Sequence, residues 1–489
     1  MGTISRWIIR LSRPALIAAW AAMSGWLGLL AWTNTLPKAV PEVWRWGLAV
    51  GLTALGALIV PRPMWRWAVG LWLWPLAWPR WTLAAAAVAA AVARWWLQRR
   101  VAARPGTLAF GTDPLWGIPV TVSAEDRLLH CHVIGPTGSG KSSGVLLPLI
   151  DQDLAAGLGL TLIEPKGDLA GAARSAARRH GRPFLWLDPE AEACPHWNPL
   201  TGPAEAAAEG LDWALLQLQE PGHPYYAATS RVLLLYAVRA LKAALGDAAD
   251  LLGLVRFLRR PEWRRECLAK ADPATREYFR EQWGQWRADA QAQTQSGLLH
   301  RLELLLANPH LSRVLAPPSD FDWDTVLKEG WTVLAPLSPA RLGASARALG
   351  VLWWHGLMLA TYRRPMASRP YFLYLDEFHQ YVSPDLNEFL ALARGYGVGL
   401  ILAHQDMGQL SAPLQAALGA NARQRVALSG LSPHDCQWLE AQAAPHRLPV
   451  SPRYLPRGLA VVQCTRQGRL EPPRVVRLPH HRLGAESTP

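Results

Sequence analysis

The stretch LLHCHVIGPTGSGKSSGVLLPLI (128–150) decides the fold. Its centre, Gly135-Pro136-Thr137-Gly138-Ser139-Gly140-Lys141-Ser142, matches G-x-x-x-x-G-K-[ST] at every fixed position. The apolar run before it predicts a strand over 128–134, and the run after it predicts the start of a helix over 142–150. Between the two, glycines let backbone N–H groups curl around phosphate oxygens, and the N-terminus of the helix adds positive potential. Residues Gly135 to Ser143 therefore read as a cradle for the phosphates of ATP. In this reading Lys141 reaches the β- and γ-phosphates, and the Ser142 hydroxyl ligates Mg²⁺.

A phosphate loop of this kind needs an acid at the end of another buried strand to hold its Mg²⁺. Tyr371-Phe372-Leu373-Tyr374-Leu375 is apolar or aromatic throughout, as a strand covered on both faces must be, and it ends in Asp376-Glu377. Asp376 is the expected Mg²⁺ partner, and Glu377 the expected general base for an attacking water. A further strand is predicted over 397–403, ending in His404-Gln405-Asp406, where Gln405 could sense the γ-phosphate or orient water. Other strand-like runs fall at 159–163, 184–187, 331–336, 425–429 and 459–464, alternating with helical segments. That alternation argues an α/β fold with a central parallel sheet. Ligands of such sheets sit at the carboxyl ends of the strands, where the P-loop, Asp376 and Gln405 all fall. Between Gly210 and Ser312 the periodicity is helical with no strand signal, so an all-helical insertion explains the 235 positions that separate Lys141 from Asp376.

The chain has 489 residues, half of them hydrophobic, with five cysteines and a net charge of +13. This composition excludes a wholly disordered chain and a small disulfide scaffold. Twelve Lys/Arg and one acid, Glu42, lie in residues 1–105, so +11 of the excess charge sits in the first fifth of the chain, with 14 of the 26 Trp. Residues 14–37 carry no charge and are long enough to cross a bilayer. Weaker apolar runs follow at 46–61, 63–79 and 81–97. With an internal N-terminus and four crossings, nine Arg flank the inner side and three basic residues the outer side. Two crossings, with 63–97 interfacial, give the same final orientation. Either way, everything after about residue 100 is expected in the cytoplasm.

These motifs together resemble the type IV coupling protein family, the TraG/TraD-like ATPases. The resemblance runs from Gly111 and Thr112 through VIGPTGSGKSSGVLLPLI (133–150), IEPKGDL (163–169) and WNPL (197–200). It continues with QTQSGLLHRLELLLANPHL (293–311), SDFDW (319–323), YLDEF (374–378) and ARGYGVGLILAHQDMGQL (393–410). It implies a RecA-like P-loop NTPase with an all-helical inserted domain and an N-terminal transmembrane helical anchor. The implied domains are an anchor over 1–104, a nucleotide-binding domain over 105–205 and 316–489, and an inserted all-alpha domain over 206–315. It further implies a homo-hexamer at the bacterial inner membrane. In the family, ATP hydrolysis couples a single-stranded DNA–relaxase complex, or a protein effector, to the channel components of a type IV secretion system. By the same resemblance Arg394 is the candidate arginine finger, supplied in trans so that hydrolysis depends on assembly, with Arg423 and Arg425 as rivals. Glu164 stands where the family has Asp before Pro-Lys-Gly, and a long acidic tail is absent from the sequence.

Four functions compete: a DNA-coupling motor, an effector-coupling ATPase without DNA, a non-hydrolysing scaffold, and a chromosome-segregation or repair translocase. The intact Lys141, Ser142, Asp376, Glu377 and Gln405 argue against the scaffold, and the helical insertion argues against the translocase. Cys131, Cys194, Cys267, Cys436 and Cys464 form no C-x-x-C pair, and alternation along a strand would send His130, Cys131 and His132 to different faces. Neither set reads as a metal site.

Overall fold

The structure is a computed structural model that describes residues 91–92, 107–218, 224–381 and 383–481. Among them, no helix is long and apolar enough to cross a membrane. The spans expected over 14–97 lie outside the described residues, save Ala91 and Val92, which are helical.

Thirteen strands are described: β1 (Thr107–Thr112), β2 (Pro119–Ser123), β3 (Cys131–Ile134), β4 (Gly159–Glu164), β5 (Phe184–Trp186), β6 (Thr332–Pro336), β7 (Tyr371–Asp376), β8 (Val398–His404), β9 (Gln424–Leu428), β10 (Leu459–Gln463), β11 (Thr465–Arg466), β12 (Arg469–Leu470) and β13 (Arg474–Arg477). All but β11 and β12, which form a separate ribbon, join one sheet in the order β2-β1-β13-β10-β9-β3-β8-β7-β4-β6-β5. From β9 to β5 every neighbour is parallel; from β9 outward to β2 every neighbour is antiparallel. This parallel-rich α/β sheet fits the RecA-like P-loop NTPase fold expected from the sequence.

The central strands are apolar throughout because both faces are covered. In β7, Leu373 and Leu375 enter one core cluster while Phe372 and Tyr374 enter another; in β8, Leu400 and Leu402 oppose Ile401 and Ala403 in the same way. Helices α1 (Leu147–Ala155) and α2 (Asp168–Arg179) supply one cover. The opposite face belongs to a larger core cluster that also takes in helices α3 (Ala204–Leu216), α4 (Pro224–Leu245), α5 (Leu251–Arg259), α6 (Ala288–Ala307), α7 (Ala344–Arg363) and α8 (Pro433–Ala443). No strand lies between Trp186 and Thr332 among the described residues, where the sequence carries only helical periodicity.

Around the P-loop two boundaries differ from the sequence reading, and the other expected strands shift by a single residue. The strand expected over 128–134 begins only at Cys131, because Leu128–His130 turn and His130 takes a left-handed conformation (φ 59°). The helix after the P-loop opens as a wide π-type turn over Lys141–Leu146 before α1.

A charged triad is buried beneath the sheet. Arg127 donates to both carboxylate oxygens of Asp153 (2.6 and 3.2 Å) and to the Tyr374 hydroxyl (3.3 Å), and Tyr374 donates to Asp153 (2.5 Å). The Arg127 guanidinium also stacks 3.6 Å from the Phe372 ring centre. The triad ties the segment before β3 to α1 and to the Asp376 strand. Removing one partner leaves the other charge buried and unpaired, which costs about 3–5 kcal/mol. Asp153→Ala is therefore expected to lower the unfolding free energy by about that much in denaturant titrations, and Asp153→Leu with Arg127→Met to recover most of it. A loss for Asp153→Ala below about 1 kcal/mol would contradict this role.

Candidate nucleotide site

Parallel pairing brings the functional side chains together. β3 lies between β8 and β9, and β7 lies beside β8, so the carboxyl ends of β3, β8 and β7 form one rim. Ile134 is level with His404, and Asp376 with Ala403. The segments that leave these strands, Gly135–Ser142, Gln405 and Glu377, must therefore meet.

The loop has the conformation its glycines permit. Gly138 and Gly140 adopt φ of 76° and 99°, a region that other residues rarely enter. Gly135 serves close approach instead: a Cβ there would lie 2.6 Å from the Ser139 hydroxyl and 2.8 Å from Leu428 Cβ. Lys141 is buried and donates to the Gly135 carbonyl (2.6 Å), with its ammonium 3.7 Å from Glu377 Oε1. Burial pushes this ammonium below the ordinary lysine range, against the pull of Glu377 and Asp376. The Ser142 hydroxyl donates to Asp376 Oδ2 (3.2 Å), so the two expected Mg²⁺ ligands already touch. Ser143 sends its carbonyl to the His481 amide (3.2 Å), which stitches the C-terminal segment onto the loop helix.

Gln405 bridges the site. Its Oε1 accepts from the Thr137 hydroxyl and its Nε2 donates to Glu377 Oε1, both at 3.0 Å. Glu377 itself takes a left-handed backbone (φ 50°, ψ 47°), unfavourable for a residue with a side chain and of the kind found at functional sites. Its second oxygen, Oε2, is buried with no hydrogen-bond partner among the described residues, as is the Ser139 hydroxyl of the loop.

These features fit a nucleoside triphosphate with Mg²⁺. The loop supplies N–H donors and a cation, the Ser142–Asp376 pair supplies hard oxygen donors suited to Mg²⁺, and the orphaned Glu377 oxygen is an acceptor for water. Burial first, then the neighbouring Glu377, lifts the Asp376 carboxyl to about 6. Below about pH 6 a cation there must displace that proton.

Other expected residues fall elsewhere. Arg394 is exposed in the turn Ala393–Tyr396 that precedes β8, whereas Gln405 follows it; a seven-residue strand, roughly 20 Å long, separates the two. Within one chain, then, Arg394 does not join Lys141 and Asp376. Arg425 is buried in β9 and donates to Gly419 O, Gln442 O and Gln463 Oε1, a structural role. Arg423 lies at the start of β9, its amide bonded to Leu129 O, at the same far end as Arg394. Glu164, lifted to about 7 by burial, accepts from the Lys166 and Ala170 amides and so fixes the turn into α2.

Sequence reasoning missed Gln409, whose Oε1 accepts from the Gln405 and Asp406 amides (3.0 and 3.3 Å). The Asp406…Gln409 spacing of a capping box was the available signal.

Comparisons with known proteins agree with this architecture. The plasmid coupling protein TrwB, in complex with the non-hydrolysable GTP analogue GDPNP, superposes with a TM-score of 0.58 at 18% identity, covering 80% of this chain and 94% of that one. TrwB in complex with ADP and Mg²⁺ gives 0.58 at 17% identity, over 80% of this chain and 93% of that one. VirB4 of Thermoanaerobacter pseudethanolicus gives 0.50 at 14% identity, over 76% and 96%. No family model and no curated protein matches the chain. The resemblance to the type IV coupling proteins thus holds at the level of the fold.

The raised Asp376 carboxyl gives a pH prediction. A proton competes with Mg²⁺ below about pH 6, so Mg²⁺ affinity in the presence of nucleotide should rise by up to about tenfold per pH unit below 6 and level off above it. Calorimetry in buffers of different ionisation enthalpy should show proton release near pH 6 and none near pH 8. A pH-independent affinity would contradict the assignment.

Proposed function

We propose that the chain is a membrane-anchored ATPase that couples a single-stranded DNA–relaxase substrate to a type IV secretion channel, as a homo-hexamer at the bacterial inner membrane. The observation that carries the reading is the bridge Thr137–Gln405–Glu377 beside the Ser142–Asp376 pair. Such a network has parts for binding, for activating water and for linking the two. The fold of a plasmid coupling protein, seen in complex with ADP and Mg²⁺, supports the assignment to secretion and conjugation.

The proposed division of labour follows the sequence domains. Residues 1–104 anchor the chain, 105–205 and 316–489 form the motor, and 206–315 form a helical module for substrate recognition. In the motor, Lys141 and the amides of Gly138 to Ser143 hold phosphate oxygens, and Ser142 and Asp376 hold Mg²⁺. Mg²⁺ at that place would neutralise charge on the phosphates. Glu377 Oε2 accepts the proton of the attacking water, and Gln405 fixes the carboxylate against the loop. Arg394, at the far end of β8, can serve only a neighbouring subunit's site, which would make hydrolysis depend on ring assembly.

Lys141→Ala and Asp376→Ala are expected to abolish ATP turnover without removing the protein from the membrane. Arg394→Ala is expected to keep nucleotide binding and lose about 10³-fold or more of the assembled chain's turnover. Unchanged turnover in Lys141→Ala or Asp376→Ala would overturn the motor reading, and unchanged turnover in Arg394→Ala would overturn the finger. Stimulation of turnover by single-stranded DNA that weakens with salt supports the DNA reading. Stimulation by a secreted protein, with none by DNA, supports an effector-coupling ATPase.

A further inference from the structure

Two buried histidines occupy the seam between the strand that feeds the P-loop and the strand that presents Gln405. His132 lies in β3 and His404 ends β8. Their Nε2 atoms are 2.7 Å apart, and the rings stack with centres 4.9 Å apart. The hydrogen bonds determine which nitrogens carry protons. His404 Nδ1 is 2.9 Å from the Asp406 carbonyl oxygen, which can only accept, so Nδ1 donates. Burial holds the His404 ring neutral, with its pKa lowered to about 4. Its Nε2 is then an acceptor, and His132 Nε2 must donate to it.

The result is a one-way chain of donors from His132 through His404 to the Asp406 carbonyl. It is fastened to the candidate site at two points, His404 and Asp406. The His404 carbonyl accepts from the Gly135 amide, where the P-loop begins (3.2 Å). Asp406 opens the capped turn Met407–Gln409, from which Gln409 holds the Gln405 amide. Phe378, next to Glu377, packs edge-on against His404, and Trp438 of α8 packs edge-on against His132. An aliphatic residue at 404 would fill the same space but leave the Asp406 carbonyl without this donor.

We propose that His404, oriented by His132, is a positioning residue that holds Gln405 between Thr137 and Glu377. The proposal rests on the hydrolytic reading of the site. Its test compares kcat and nucleotide affinity in the full chain for H404F, H404N, H404Q, Q405A and H404F/Q405A. H404F is expected to lower kcat about 10–100-fold while nucleotide affinity stays within about twofold. H404N keeps a donor where Nδ1 stood and is expected to return to within about threefold of wild type. H404Q, which lacks that donor, is expected to follow H404F and replaces it if H404F does not fold. Because His404 acts through Gln405, the double variant should be no slower than Q405A alone. Wild-type kcat in H404F, or losses that multiply in the double variant, would overturn the proposal.

Hydrogen exchange gives a readout that does not depend on turnover. Amides of residues 404–410 should exchange faster in H404F than in wild type or H404N. Equal protection in all three would overturn the proposal. Absence of Lys141-dependent turnover in the wild type, by contrast, would overturn the hydrolytic reading itself.

Discussion

Parallel pairing of β3 with β8, and of β8 with β7, is the constraint on which the site depends. Parallel strands deliver their carboxyl ends to one edge of the sheet, so three segments far apart in sequence emerge side by side. Ser142 and Asp376 touch across 234 positions, and Thr137 and Gln405 across 268. No local interaction could hold these pairs. What holds them is the burial of strands whose alternate residues enter two separate cores, since a shift by one residue would turn every side chain of a strand to the wrong face. The Arg127–Asp153–Tyr374 triad reinforces the same alignment from beneath, fastening the approach to β3 onto β7.

The chemical parts of the site were legible in the sequence because their signals are local. Eight consecutive residues state the phosphate loop, and an apolar run ending in Asp376-Glu377 states its acidic partner. The central strands were legible for a related reason: strands covered on both faces are continuously apolar, so Tyr371–Leu375 and Val398–Ala403 stand out. The antiparallel edge was not. β1, β2 and β13 mix buried with half-exposed or exposed residues, so their runs lack that contrast. Nor could spacing reveal the triad or the His132–His404 pair, whose members are 26 to 272 positions apart. The left-handed backbone at Glu377 was equally invisible, because no glycine marks it. Arg394 was singled out by family resemblance, and its place before the strand that ends in Gln405 already put it at the opposite end from its own P-loop, which the course of β8 bears out.

Charge acquires a different meaning once it is placed. Of the net +13, +11 belongs to residues 1–105 and matches the flanks expected of membrane spans. The remaining 384 residues are nearly balanced, so affinity for a polyanion would have to come from a local arrangement within an assembly. At the candidate nucleotide site the balance is likewise local: one buried lysine faces Glu377 and Asp376, and Lys166 acts on the Asp376 carboxylate from the turn after β4.

In the proposed mechanism Glu377, strained in its backbone and braced by Gln405, activates water against a nucleotide held by the loop. Phosphate release by Glu377→Gln at saturating Mg²⁺ and ATP tests it most directly. Uncleaved ATP is expected to stay tightly bound, with phosphate release reduced by about 10²-fold or more. Phosphate release at the wild-type rate, with the nucleotide turned over normally, would contradict it.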